Sequence, residues 1–377
     1  LMAAVNMDAA AAAAQSAAGP EFLTTSEFMD GFQLPSYVFD GIVLSGNLYS
    51  VCGKTGQGKS AVALYLAFLK ATGGYINGSP VEQGKVVYLA AENPEDIRMR
   101  VLLMANRMDL DYRRLPISWV AGAFDPSEGL ERARDQVGDA ELFIVDTGAA
   151  FALQGGSVDE NDNAGQLAFA KDLRAFTELP SKPTVLALMR PIKRAKCQDE
   201  LLPRGGGSFL AEVDGNLTIW AEGDRSITEL HWTGKIRGPN FEPLPFVLEA
   251  GTCPQLVDAK GRELTSVRAY PADRHTMEKT TERNRTDLDD MLNVLDQGGA
   301  TSLAKLCEIL GWTGKNGQLQ KSRARRVMDQ LTKERIAEKS LGHYRITTRG
   351  RRALKKGEPT PIRRRRTTCA SATRWLN

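Results

Sequence analysis

Gly53-Lys54-Thr55-Gly56-Gln57-Gly58-Lys59-Ser60 fits the pattern G-x-x-x-x-G-K-[ST] at every fixed position. An apolar run, Leu48 to Cys52, precedes it, and an amphipathic segment opens at Ala61. The stretch from Tyr49 to Leu66 therefore reads as a buried strand, a glycine loop and the start of a helix. The glycines let consecutive backbone N–H groups turn inward onto phosphate, and the helix aims its positive end at the same anion. Lys59 is expected to neutralise the β and γ phosphates of ATP, and Ser60 to offer its hydroxyl to Mg²⁺.

A chain of 377 residues holds one large domain and a small one. The formal charge of +3 is too small to argue for nucleic acid, but basic residues crowd the last sixty or so positions, at Lys321 to Arg326 and Arg349 to Lys356. The five cysteines, Cys52, Cys197, Cys253, Cys307 and Cys369, form no CxxC pair and no metal spacing. Such a set suits reduced thiols, and no apolar run is long enough to span a bilayer, so a cytoplasmic protein without membrane contact is expected. Residues 1–33 are Ala-rich and expected to be a disordered leader, and residues 357–377, with Arg363 to Arg366, a disordered basic tail.

Between about 34 and 250, strands alternate with helices, which predicts an α/β fold with a mostly parallel sheet covered on both faces. Expected strands are Leu48 to Cys52, Lys85 to Ala90, Ile117 to Val120, Leu142 to Val145, Thr184 to Met189, Leu217 to Trp220 and Ile227 to Trp232. Helices fall at Ala61 to Lys70, Asp96 to Met108, Gly129 to Val137 and Asn163 to Phe176. Residues 251–285 are polar and read as a linker. Over 286–356, three helices (Asp287 to Leu295, Ser302 to Leu310, Gln318 to Arg335) and a short hairpin outline a winged helix. Its third helix, with Lys321, Arg323, Arg325 and Arg326, stands in the position that reads duplex DNA, although the same outline serves protein contacts.

Leu142 to Val145 leads into Asp146, a carboxylate placed to support Mg²⁺ beside a phosphate loop. Thr147 follows it, so the group that positions water for hydrolysis lies elsewhere. The strand after the phosphate loop ends at Glu92, which suits that base; the plainer reading has Glu92, before Asn93-Pro94, as a helix cap.

The order GKTGQGKS, the strand ending in ENPEDIRMR, LFIVDT and LLPRGGGSFLAEVDGNLTIW resembles the RecA-like ATPases related to the plasmid replication helicase RepA, a branch with many phage members. The resemblance covers roughly Phe39 to Leu248. It implies a RecA-like core, Glu92 as catalytic glutamate, and a homo-oligomeric ring with ATP between subunits. Lys235-Ile236-Arg237-Gly238-Pro239 is similar to the stretch by which hexameric helicases reach a neighbour's nucleotide, with the glycine here directly after the arginine. Arg237, with Lys235, would then stabilise charge on the departing phosphate; an exposed basic turn is the plainer alternative. Where many relatives carry His-Pro, this chain has Arg190-Pro191, whose fixed charge and longer reach change the contact with phosphate.

Two loops of such a ring face its channel. Gly148 to Gln166 carries Asp159, Glu160 and Asp162, a poor surface for nucleic acid. Ile192 to Ser208 carries Lys193, Arg194, Lys196 and Arg204, which suit single-stranded DNA as the acidic loop does not; a solvated loop is the alternative. There is no N-K-x-D motif for a GTPase, and Leu44-Ser45-Gly46-Asn47 lies on the wrong side of the loop for an ABC signature. A small-molecule kinase would lack the C-terminal unit and the Lys235 to Pro239 stretch. The leading expectation is a DNA-acting ATPase or helicase. A nucleotide-gated DNA-binding regulator or loader with weak ATPase is the alternative, and an assembly scaffold a third.

Overall fold

The computed structural model describes residues 22–32, 34–122, 126–148, 163–192, 195, 197–204, 207–221, 226–236, 240–298, 300–314, 317–340 and 342–355. The chain divides into two compact units, Leu1–Ser36 and Tyr37–Asn377. In the first, a stretch expected to be disordered includes a short helix, α1 (Thr25–Met29), closed by a capping box. Thr24 Oγ1 accepts from the Glu27 N–H at 3.3 Å, and the Glu27 carboxylate accepts from the Thr24 N–H at 2.7 Å.

The second unit opens with β1 (Tyr37–Phe39) and β2 (Val43–Leu44), then β3 (Leu48–Cys52) and α2 (Lys59–Thr72). The hairpin β4 (Gly74–Ile76) and β5 (Ser79–Val81) leads to β6 (Val86–Ala90), α3 (Pro94–Arg107), β7 (Ile117–Ala121), α4 (Pro126–Val137) and β8 (Leu142–Asp146). There follow α5 (Asn163–Phe176), β9 (Thr184–Met189), α6 (Gly207–Glu212), β10 (Gly215–Trp220), β11 (Ile227–Ile236), β12 (Leu244–Gly251) and β13 (Ser266–Pro271). These build a nine-stranded sheet in the order β13-β12-β11-β10-β3-β9-β8-β6-β7. From β10 to β7 every pairing is parallel, and β11, β12 and β13 extend the sheet antiparallel. One strand, β9, thus stands between the phosphate-loop strand and the strand that ends in Asp146, in a mostly parallel α/β sheet.

Strand periodicity sorts the core into two layers. Tyr49, Val51, Tyr88, Ala90, Leu142 and Ile144 join one buried cluster, while Leu48, Cys52, Val87, Leu89, Phe143 and Val145 join the other. Both faces being covered, β3, β6, β8 and β9 are buried along their whole length, which is why they read as continuous apolar runs. Helix α2 is buried from Ala61 through Ala71, and Tyr65 meets Phe246 of β12 edge to face at 5.7 Å.

The segment expected as a linker is ordered structure: it contains β13 and the start of a 23-residue helix, α7 (Arg274–Asp296). β13 is an outer strand whose one charge pairs across the ladder. Arg268 faces Glu249 of β12 and donates to its carboxylate at 2.6 Å. After α7 come α8 (Leu303–Ile309), α9 (Lys321–Lys333), β14 (Ala337–Ser340), β15 (His343–Ile346) and α10 (Thr348–Lys355). Leu288, Met291, Leu292 and Leu295 of α7 pack with Ala324, Val327, Met328 and Leu331 of α9 in a separate core, both sets at helical spacing. β14 and β15 form a hairpin, and Ala300 adds a bridge to Tyr344. Among the described residues no helix is long and apolar enough to cross a membrane.

Candidate active site

The site forms where four parallel strands end together. Register pairs Cys52 with Met189 and Ala90 with Asp146, so the residues just beyond the last rungs (the glycine loop, Glu92, Thr147 and Arg190) meet at the carboxyl end of these strands. Open α/β sheets bind ligands at these carboxyl ends. The cleft there has a volume of about 480 Å³ and is lined by Lys59, Ser60, Glu92, Asp146, Thr147 and Arg190, among others. That volume suits a nucleotide-sized ligand.

The glycines of the loop are required by geometry. Gly56 and Gly58 have φ of +78° and +89°, a backbone region that L side chains rarely adopt. A Cβ on Gly53 would stand 2.9 Å from the Ile219 carbonyl, and one on Gly58 would stand 2.7 Å from the Leu248 methyls. Gln57 stabilises the turn internally, its Oε1 accepting from the Lys54 N–H at 3.0 Å. Gly58→Ala adds both left-handed strain and a clash, and is expected to weaken ATP binding by about tenfold or more, since the strain alone costs roughly 1–2 kcal/mol. Equilibrium binding of a fluorescent nucleotide checks this, with circular dichroism to confirm that the fold survives.

Lys59 Nζ donates to the Gly53 carbonyl at 2.6 Å, which poises the ammonium inside the loop. Burial lowers its pKa, and the nearby Asp146 carboxylate opposes that shift. Asp146 is itself only 4% exposed. Burial raises its pKa, opposed by hydrogen bonds from Tyr88 and Ser60 and by Lys59. Ser60 Oγ donates to Asp146 Oδ1 at 3.0 Å, and the buried Tyr88 hydroxyl donates to Oδ2 at 2.7 Å. Tyr88 thereby orients a carboxylate toward the Ser60 hydroxyl, the two hard oxygen donors a Mg²⁺ ion would use. Among the described residues no group of three His, Cys, Asp or Glu side chains could cage a metal. This donor set fits Mg²⁺, which takes one or two protein ligands and completes its shell with phosphate and water.

Glu92 is not the helix cap. Asn93 caps α3, its Oδ1 accepting from the Asp96 N–H at 3.1 Å. The Glu92 carboxylate instead accepts from Thr147 Oγ1 at 2.9 Å and from Arg190 Nη2 at 2.7 Å. Tyr88 and Thr147 escaped the sequence reading as site residues. Tyr88 sits mid-strand in a buried run, and only its contact with Asp146 marks it.

The remaining expected residues are placed apart from this cleft or lie beyond description. Lys193, Arg194, Lys196 and Arg237 lie outside the described residues, as do the side chain of Lys235 and most of the loop with Asp159, Glu160 and Asp162. Strand β11 runs on to Ile236, so the backbone of Lys235 belongs to a strand rather than a turn. Arg204 stands at the foot of its loop, its N–H donating to the Arg190 carbonyl at 2.9 Å beside the Pro191–Pro203 bridge. On α9, Lys321 and Arg325 are exposed. Arg323 is engaged by α7 and its neighbours, donating from Nε to Asp287 Oδ2 at 2.9 Å and stacking on Trp312 at 4.2 Å. Arg326 lies 3.7 Å from the same carboxylate.

No curated protein matches the chain. Among solved structures, a crystal structure of the RadB recombinase is similar at 15% identity, covering 54% of this chain and 88% of that chain with a TM-score of 0.41, too loose a likeness to bear on function. Residues 14–194, just under half of the 377, match the family AAA_25, described as an AAA domain. Phosphate-loop sequence, cleft geometry and this match together support a P-loop ATPase.

Proposed function

We propose that the chain binds ATP with Mg²⁺ in this cleft, hydrolyses it and couples turnover to DNA, in the manner of RepA-related replicative helicases. The observation that carries the reading is the convergence of Lys59, Ser60, Asp146, Glu92 and Arg190 at four neighbouring strand ends. The glycine loop and Lys59 hold the phosphates. Glu92 accepts a proton from water as its oxygen attacks the γ phosphorus, and the bond to the β-phosphate oxygen breaks to release ADP and phosphate. Ser60 and Asp146 would hold Mg²⁺, which supplies charge neutralisation across the β and γ phosphates. Arg237, with Lys235, completes the site of the neighbouring subunit in a ring.

Lys193, Arg194, Lys196 and Arg204 offer cations to single-stranded DNA. The unit of α7, α8, α9 and the β14–β15 hairpin is a winged helix in this reading, with exposed Lys321 and Arg325 facing duplex phosphate. Arg323 and Arg326, tied toward Asp287, hold the helix in place instead.

A nucleotide-gated regulator with weak ATPase is the second reading, favoured by the pairing of Glu92 with Arg190, which engages the base. Steady-state ATP hydrolysis with and without single-stranded DNA separates the two. The motor reading expects DNA to stimulate turnover, and Arg237→Ala to abolish it with ATP still bound. ATP binding with negligible turnover in every condition would leave the regulator.

A further inference from the structure

The Arg190–Glu92 pair has a consequence for how the site tells one nucleotide from another. Arg190 follows the last residue of β9 and Glu92 lies two residues beyond β6, and β8 stands between those strands. The two side chains reach toward each other across the end of β8, above Asp146 and Thr147. Both line the cleft that also holds Lys59 and Ser60. The carboxylate has two oxygens with separate partners: Oε2 takes the Thr147 hydroxyl at 2.9 Å, and Oε1 takes the Arg190 guanidinium at 2.7 Å.

The two partners differ in what can displace them. Thr147 is neutral and buried, so neither a phosphate nor water competes strongly for its hydroxyl, and its bond to Oε2 persists. Arg190 and Glu92 are 39% and 49% exposed, and an ion pair that solvated is weak. A terminal phosphate in the cleft offers a guanidinium more charge and a bidentate set of oxygens than one carboxylate oxygen does.

We propose that Arg190 is a specificity-determining and positioning residue that exchanges Glu92 for the γ phosphate. In the absence of a γ phosphate, Arg190 occupies Oε1 and withholds the base. When a triphosphate binds, the guanidinium transfers to the terminal phosphate, and Oε1 becomes free to orient water while Thr147 keeps the carboxylate in place. A diphosphate presents no terminal group at that distance and leaves the pair intact. The inference rests on the ATPase reading above and adds to it the side chain that separates ATP from ADP.

The exchange has a thermodynamic signature that needs no turnover. Breaking the Arg190–Glu92 pair is part of triphosphate binding, so removing the charge on Glu92 should tighten triphosphate binding only while Arg190 is present. Titration calorimetry with the non-hydrolysable analogue AMP-PNP and with ADP, in the presence of Mg²⁺, would be run on wild type, Glu92→Gln, Arg190→Gln and the double variant. The expected result is that Glu92→Gln binds AMP-PNP up to about fivefold more tightly, the upper range for an exposed ion pair, with ADP affinity unchanged. In the Arg190→Gln background that gain vanishes.

An equal gain in both backgrounds would mean that Glu92 merely repels phosphate, and the exchange would be overturned. So would an absence of any gain in the presence of Arg190. Should Arg190→Gln bind no analogue, the same comparison is made on Arg190→Lys, which keeps the charge without the bidentate fork and is expected to show a reduced gain. A wild-type chain that binds neither nucleotide would overturn the ATPase reading itself, whereas binding of both without the coupling removes only the role of Arg190.

Discussion

Glu92→Gln is expected to leave ATP bound and to lower its turnover by about 10²-fold or more, the usual contribution of a positioned general base. The amide has the same shape as the carboxylate and can still accept from the Thr147 hydroxyl, so the cleft should keep its geometry. What it lacks is basicity toward water. Phosphate release under saturating ATP reads the loss, and equilibrium binding shows that the nucleotide is still held. Asp146→Asn makes the contrast. Asp146 meets Ser60 and Tyr88 in a buried setting, and its replacement should weaken nucleotide binding at limiting Mg²⁺ as well as turnover. Turnover of Glu92→Gln within tenfold of wild type would place the base on another residue.

The second large effect falls in the C-terminal helices. Arg323→Ala is expected to destabilise the packing of α7, α8 and α9 by about 3 kcal/mol, because truncating one partner of a buried ion pair leaves a charge without compensation. Asp287 is 1% exposed and receives two hydrogen bonds from the Arg323 guanidinium, which also stacks on Trp312. Arg326, 3.7 Å from the same carboxylate, recovers only part of the loss. Amide hydrogen exchange on the intact chain should show faster opening of α7, α8 and α9, with β3, β8 and β9 as protected as before. Unchanged exchange in α7 and α9 would count against the structural role.

A loss of DNA binding in Arg323→Ala would therefore report unfolding rather than a lost contact. Lys321→Ala and Arg325→Ala are the cleaner probes, because both side chains are exposed. Each phosphate contact removed should reduce the slope of log affinity against log salt by about 1.

The buried strands were legible because both faces of the sheet are covered, which turns β3, β6, β8 and β9 into unbroken apolar runs. Helix positions were legible too, with ends displaced by a few residues: α2 begins at Lys59, inside the glycine motif, and α3 at Pro94, one residue after its Asn93 cap. β12 and β13 were not legible. Pro245 interrupts the pattern of the one, and Arg268 in the other makes sense only beside Glu249. The same blindness hid the role of Asp287, since nothing local distinguishes a buried carboxylate under a basic helix from a solvated one.

Sequence alone determined the phosphate loop, the carboxylate that ends β8 and the alternation that makes a parallel sheet, because each depends on residues adjacent in the chain or on a period of two or 3.6 residues. Only the tertiary structure decided that Asn93 rather than Glu92 caps α3, that Tyr88 orients Asp146, that Arg190 pairs with Glu92 and that Arg323 is engaged by Asp287. The Asn93 cap spans three residues and only chooses between two neighbouring candidates; the other contacts join residues dozens of positions apart, and the fold brings them within hydrogen-bonding distance. No local pattern encodes that distance.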